Sequence, residues 1–322
     1  MWIERHWYRD SWVSRLLSPL AAMYCAVATV RRRMYRSGWC RAESFPVPVV
    51  VVGNITVGGT GKTPLVLWIT DFLVACGWRP GIVSRGYGGR AQRWPQRVTP
   101  DSDPRAVGDE PTMLARRAGV PVVADPDRPR GVRELLAQGC DVIVADDGLQ
   151  HYRLHRDVEI AVLDGERGLG NGRCLPAGPL RECRSRLQTV DARVLNGASA
   201  PDAWSMRLAP AGFRRVRNPR ETAPLDDFRG RRVHALAGIG NPRRFFASLR
   251  ALGIEVEEHP FPDHYPFAAS DLQFADGADV VMTEKDAVKC RGFANHNVWY
   301  LAVGAEMDRR FGEWLQQRLR RK

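Results

Sequence analysis

The sequence is poor in lysine. Of 48 basic residues only four are lysines, Lys62, Lys285, Lys289 and Lys322, and the other 44 are arginines. A lysine kept against such a bias is a candidate for a role that a planar guanidinium cannot fill. No apolar run reaches the ~18 residues of a confident membrane span, which excludes a polytopic membrane protein. Seven cysteines are scattered without a CxxC pair, which argues against a disulfide scaffold or a zinc ribbon and fits a reducing compartment. Internal repeats and low-complexity segments are lacking too. What remains is ordinary for a folded protein: 322 residues, 44% hydrophobic and 26% charged, enough for one large or two medium domains. The net charge of +12 points to an anionic partner, whether nucleic acid, membrane surface or phosphorylated substrate.

The excess charge is concentrated at the start. Residues 1–45 carry eight arginines against Glu4, Asp10 and Glu43, which is +5 of the +12. Within them Leu16 to Val30 is uncharged and spans 15 residues, about 22 Å as a helix against a hydrocarbon core of roughly 30 Å. Pro19 suits a first helical turn. Aromatic residues flank the segment and Arg31, Arg32 and Arg33 follow it, so it reads as an interfacial, membrane-associated helix. An ordinary helix packed on the protein, with a solvated basic end, is the alternative. The arginine triplet stands where a signal peptide would have its small-residue cleavage site.

Downstream, short β-branched runs alternate with helical patterns. Strands are expected at 47–52, 81–84, 121–124, 141–145 and 159–163, and helices at 62–75 and 127–138. This alternation implies right-handed βαβ units and a mostly parallel sheet. A hairpin is expected at 204–208 and 213–216 around Pro210–Gly212, then a linker. A smaller α/β domain follows from about 228, with strands at 233–237, 254–258, 280–283 and 298–303 and a helix at 243–252. A last helix, 307–321, is placed against the first domain. The expected organisation is therefore a membrane-associated segment (1–45), a P-loop-like core (46–217), a smaller domain (228–306) and a terminal helix (307–322).

The strongest local signal is Thr56-Val57-Gly58-Gly59-Thr60-Gly61-Lys62-Thr63, between a strand and a helix. Glycines let backbone amides wrap a phosphate, and the helix N-terminus adds about half a positive charge. Lys62 would reach the β- and γ-phosphates of ATP, and Thr63 would ligate Mg²⁺. Thr56 stands where the usual pattern has its first glycine. The competing reading is a glycine-rich turn with an exposed lysine. Asp146 and Asp147 follow a buried strand, at the carboxyl end where open parallel sheets bind ligands. Either a Mg²⁺ role or capping of the next turn fits them, and only one of two adjacent side chains faces a given site. Asp109 in Gly108-Asp109-Glu110-Pro111 fits a helix cap or a catalytic carboxylate. His264 and His151 fit surface histidines or catalytic ones.

The motifs GNITVGGTGKTP, SRGYGG, GDEP, DDGLQH, LPAGPLRE, DHYPF and TEKDAVK occur in this order. Together they resemble the tetraacyldisaccharide 4′-kinase family, from about Pro19 to Val303, and the threonine at position 56 is similar to that family's variant loop. The resemblance implies an α/β P-loop NTPase-like core with a second, smaller domain and a membrane-associated N-terminal segment at the cytoplasmic face of the inner membrane. It implies transfer of the ATP γ-phosphoryl group to the 4′-hydroxyl of a tetraacylated glucosamine disaccharide 1-phosphate. It also implies Lys62 and Thr63 at phosphate and Mg²⁺, Asp146 and Asp147 near the metal, Asp109 as the carboxylate activating the sugar hydroxyl, and His264 as its partner. Glu110, His151 and Arg181 match further polar positions. Two other classes are weighed against it. A P-loop ATPase acting on a protein partner would not need an acceptor-activating base. A nucleic-acid binder lacks any recognisable reading motif, so no nucleic-acid partner is expected.

Overall fold

A computed structural model describes residues 2–320. Its strands are β1 (Val49–Gly53), β2 (Pro80–Ser84), β3 (Gln96–Val98), β4 (Val122–Ala124), β5 (Val142–Asp146), β6 (Val158–Asp164), β7 (Ala192–Asn196), β8 (Trp204–Arg215), β9 (Thr222–Ala223), β10 (Arg232–Ala237), β11 (Glu255–Pro260), β12 (Asp279–Thr283) and β13 (Val298–Met307). The helices are α1 (Trp12–Leu16), α2 (Ser18–Arg36), α3 (Lys62–Ala75), α4 (Pro104–Val107), α5 (Asp109–Ala118), α6 (Arg128–Ala137), α7 (Pro242–Ala251), α8 (Glu284–Cys290) and α9 (Arg309–Leu319).

All the strands join one sheet, in the order β11-β10-β12-β13-β8-β7-β6-β1-β5-β2-β4-β3, with β9 beside β8. Pairing is parallel except where β3 meets β4, β8 meets β13 and β9 meets β8. The α/β, mostly parallel character expected from the alternating pattern is therefore present. Val49 to Val52 are all buried, because β1 is central and covered on both faces. Helix α3 begins at Lys62 as expected and buries Leu65, Ile69 and Leu73 against the sheet. Phe311, Leu315 and Leu319 of α9 join the same cluster. Arg321, the expected end of that helix, lies outside the described residues.

The expected hairpin at 204–216 is absent. Instead β8 is one long strand, parallel to β7 at Trp204–Met206 and antiparallel to β13 along the rest. The register passes from Val303 opposite Pro210 to Ala302 opposite Gly212, so Ala211 is a bulge. A bulge absorbs both the missing amide of Pro210 and the left-handed φ of Gly212 (+117°) without turning the chain. Strand β8 of the expected core and β13, at the end of the expected smaller domain, thus lie side by side in one sheet. Strands β3, β7 and β9 were not expected; β3 is three residues long and β9, in the expected linker, only two.

Helix α2 starts with Pro19 in its first turn and buries only Ala21. Leu16, Leu20, Met23, Val27 and Val30 are exposed and, being three or four residues apart, share one face. No helix among the described residues is long and apolar enough to cross a membrane. A disulfide joins Cys25 of α2 to Cys183. This is one tie rather than a scaffold, but it differs from what a reducing compartment led one to expect. No spacing announced it, since 158 residues separate the two cysteines.

Candidate active site

The loop after β1 and the first turn of α3 form a cradle. Gly58 and Gly61 have φ of +102° and +93°, which a side chain would strain. A Cβ on Gly61 would also come within 2.9 Å of the Asn196 Nδ2 and Met206 Cε atoms. The loop is braced from outside. The Asn54 amide donates to the Gly58 carbonyl (3.2 Å) and to Thr60 Oγ1 (3.4 Å). Asn196, at the end of β7, donates to the Thr60 carbonyl (3.1 Å). Val57 donates its amide to the Pro179 carbonyl (2.8 Å), and Thr56 bridges to Leu180. Arg167 donates to the Gly59 carbonyl.

Charge is sorted at the end of β5. Asp147 takes a two-pronged contact from Arg181 (2.8 and 3.1 Å) and lies 3.7 Å from Lys62 Nζ. Burial alone would raise its pKa, but Lys62 and the Arg181 fork outweigh burial and hold the carboxyl well below the usual range. Asp147 also adopts φ +47°, uncommon outside glycine. Asp146 is the opposite case. It is 1% exposed, and neither carboxylate oxygen has a hydrogen-bond partner. Burial, then Glu110 and Asp147 nearby, push its pKa up to about 7. Buried carboxylates are almost always paired, so an orphan at the end of β5, next to the Asp147–Lys62 contact, fits an oxygen-seeking cation such as Mg²⁺. Arg128 is buried behind the pair and donates to the Asp146 and Asp147 carbonyls (2.7 and 2.8 Å). Burial lowers its pKa to about 10, so it stays charged at neutral pH. Thr63, expected at the metal, is buried on the first turn of α3.

A second cluster forms at the start of α5. Asp109 is the first residue of α5, and its side chain makes no capping bond. Its Oδ2 lies 3.5 Å from His264 Nδ1. The cap reading of Asp109 therefore fails: Gly108, with φ +97°, occupies the cap position. His264 follows β11 and is strained, with φ +62°. Its amide donates to the Gly238 carbonyl (3.2 Å). Gly238 in turn donates to the fully buried Asp286 (2.9 Å), which Lys289 and Thr283 also hold (2.8 and 2.7 Å). Lys285 Nζ lies 3.3 Å from His264 Nε2 and 3.8 Å from Glu110. An ammonium can only donate, so Nε2 accepts and the proton sits on Nδ1, facing Asp109.

Of the expected residues, Lys62, Asp147 and Arg181 touch one another, and so do Asp109 and His264. Glu110 links the two groups, since its charge acts on Asp146. His151 stands apart. Its Nε2 has no partner, and burial and neighbouring arginines lower its pKa to about 3, so it stays neutral. Asn54, Arg167, Asn196, Lys285 and Lys289 were missed as site residues. For the lysines a signal was available, since they are two of only four in the chain. Arg244, on α7, was also missed; it reaches Asp164 at the end of β6 (3.0 Å) and Asn196 (3.5 Å), bringing the second half of the chain to the cradle.

A protein of Alkalilimnicola ehrlichii named tetraacyldisaccharide 4′-kinase is 55% identical over 99% of this chain and 96% of its own. One of the same name from Pseudomonas aeruginosa is 51% identical over 97% and 95%. The crystal structure of the "apo" form of LpxK from Aquifex aeolicus in complex with ATP superposes with a TM-score of 0.81, at 31% identity over 95% of this chain and 99% of that one. A family model described as tetraacyldisaccharide-1-P 4′-kinase matches residues 13–320, and the chain belongs to that family.

Proposed function

We propose that this chain transfers the γ-phosphoryl group of ATP to the 4′-hydroxyl of a tetraacylated glucosamine disaccharide 1-phosphate. The observation that carries the reading is the contact between Asp109 and His264, beside Glu110, whose charge acts on Asp146. A nucleotide hydrolase acting on water needs a cradle and acidic residues; a strained histidine locked against a carboxylate is what an alcohol acceptor calls for.

The Gly58–Thr63 backbone and Lys62 bind the triphosphate. Thr63, Asp146 and Asp147 would hold Mg²⁺, with the unpartnered Asp146 as the direct carboxylate ligand. Bound there, Mg²⁺ would neutralise charge on the phosphate oxygens. Arg181 holds Asp147 to Lys62, so the ammonium keeps its direction. Asp109 takes the proton of the 4′-hydroxyl as the oxygen–phosphorus bond forms and the bond from the γ-phosphorus to the bridging oxygen of ADP breaks. His264, with its Nδ1 proton toward Asp109, orients that carboxylate, and Lys285 sets the tautomer. A base of this kind contributes about 10²–10⁴-fold; alignment and electrostatic stabilisation supply the larger part.

The acyl chains of such a substrate stay in a bilayer while its charged head is at the surface. The exposed apolar face formed by Leu16 at the end of α1 and by Leu20, Met23, Val27 and Val30 of α2 lies in the cytoplasmic leaflet of the inner membrane, and Arg31, Arg32, Arg33 and Arg36 meet its anionic headgroups. The helix lies on the membrane and does not cross it, which the arginines in the second half of α2 support.

The test is transfer from γ-labelled ATP with Mg²⁺, with and without detergent-dispersed tetraacyldisaccharide 1-phosphate. Label is expected in the lipid, and Lys62→Ala should abolish it. Label released only as inorganic phosphate, indifferent to lipid, would overturn the reading and make the protein an ATPase.

A further inference from the structure

The far end of the sheet holds a cluster that phosphoryl transfer does not use. His234 lies on β10, and Glu257 and His259 lie on β11, the edge strand. In the parallel register His234 is opposite Glu257, and residues two apart on a strand share a face. All three side chains therefore leave the sheet on the same side.

Their donor atoms converge. His234 Nδ1 is 3.0 Å from His259 Nε2. Glu257 Oε1 is 3.7 Å from the first and 3.9 Å from the second. The point equidistant from the three atoms lies about 2.1 Å from each, the length of zinc bonds to imidazole nitrogen and carboxylate oxygen. A tetrahedral ion just above that plane needs only small movements of the two partly exposed side chains.

The surroundings prepare the ligands. His234 is buried, its ring stacked on Phe274 with centroids 3.6 Å apart. Its other nitrogen, Nε2, meets both oxygens of Asp276 at 3.1 and 3.2 Å. A carboxylate accepts only, so Nε2 carries the proton and Nδ1 presents a lone pair. This carboxylate–histidine arrangement is the one by which proteins orient a metal-bound imidazole. The second oxygen of Glu257 accepts from Arg232 (2.7 Å), which turns Oε1 toward the imidazoles. Without an ion, His259 Nε2 donates its proton to His234 Nδ1; a cation takes the place of that proton.

We propose that His234, Glu257 and His259 bind a transition-metal ion of the Zn²⁺ class, with water as the fourth ligand. Two imidazoles and one carboxylate suit Zn²⁺ and disfavour the hard ions Mg²⁺ and Ca²⁺. The ion staples β11, which pairs only with β10, to the body of the sheet. The same strand leads directly to the loop bearing His264.

The experiment uses the full chain, stripped with EDTA, reduced, and held in excess Mg²⁺ so that the acidic pair near Lys62 is occupied. Co²⁺ is titrated as a coloured probe. One equivalent should bind with the visible bands of tetrahedral cobalt, and Zn²⁺ should displace it. Cys25, Cys174 and Cys183 form the other cluster of potential ligands among the described residues; binding there would add an intense near-ultraviolet thiolate band. His259→Ala should abolish the visible bands, and Asp276→Asn should weaken binding about 10–100-fold. Zn²⁺ should raise the melting temperature of the parent but not of His259→Ala. Both variants alter partly exposed side chains, and their folding is checked by circular dichroism. Bands that survive His259→Ala, a thiolate band in their place, or no saturable binding would each overturn the proposal.

Discussion

Replacing Asp146 with asparagine should stabilise the metal-free protein and abolish phosphoryl transfer. The carboxylate is buried without a hydrogen-bond partner and has a pKa of about 7, against 3.8 when exposed. A group whose folded pKa is raised favours the fold fully below the unfolded pKa, and that contribution is lost as pH rises through the folded value. Between about pH 4 and pH 7 the parent should therefore lose about 1.4 kcal/mol per pH unit from this group. Asparagine does not titrate. The difference in unfolding free energy should grow in the variant's favour across that window, by about 2 kcal/mol from pH 5 to pH 7, and level off above it. Urea unfolding in EDTA at several pH values measures the difference. Adding Mg²⁺ should close part of the gap, because it binds only the folded parent at this carboxylate. A pH-independent difference, or an asparagine variant less stable at pH 8, would refute the claim that Asp146 is an uncompensated charge held for a cation.

Other parts of the site give sharper kinetic expectations. Asp109→Asn should lower kcat by about 10²–10⁴-fold with little change in the apparent KM for ATP; steady-state kinetics at saturating lipid check this, and a defect confined to ATP affinity would move Asp109 to nucleotide binding. Lys285→Ala should depress kcat less than Asp109→Asn at saturating substrates, since it removes the donor that fixes the His264 tautomer but leaves the carboxylate in place. Gly61→Ala should impair nucleotide binding, measured by calorimetry, because its Cβ would meet Asn196 and Met206 at a φ of +93° and cost about 1–3 kcal/mol. Leu20→Glu with Val27→Glu should release the protein from anionic vesicles in sedimentation while leaving its melting temperature nearly unchanged, since both residues are exposed.

Much of this was legible in the chain itself because it is local. Helix α3 begins at Lys62 and ends at Ala75 as its pattern and Gly77 require. The buried strands β1, β5 and β6 are continuous β-branched or apolar runs, and the cradle between β1 and α3 is spelled out by its glycines. The ordered motifs also carried the family. What the chain did not show depends on contacts between distant residues. Pro210–Gly212 reads as a turn, yet becomes a bulge because β13, some 90 residues later, supplies a partner strand on both sides of it. Asp109 reads as a cap until His264, 155 positions away, is folded against it. Asp146 and Asp147 are indistinguishable as adjacent letters. Only the Arg181 fork and the nearby Lys62 at Asp147, against burial and the Glu110 charge at Asp146, make one a permanently charged anchor and the other a carboxylate awaiting a cation. Sequence determines the elements and the chemical groups that they carry. The tertiary structure decides their charge states and partners, because desolvation and Coulomb energy depend on distances that arise only when remote segments meet.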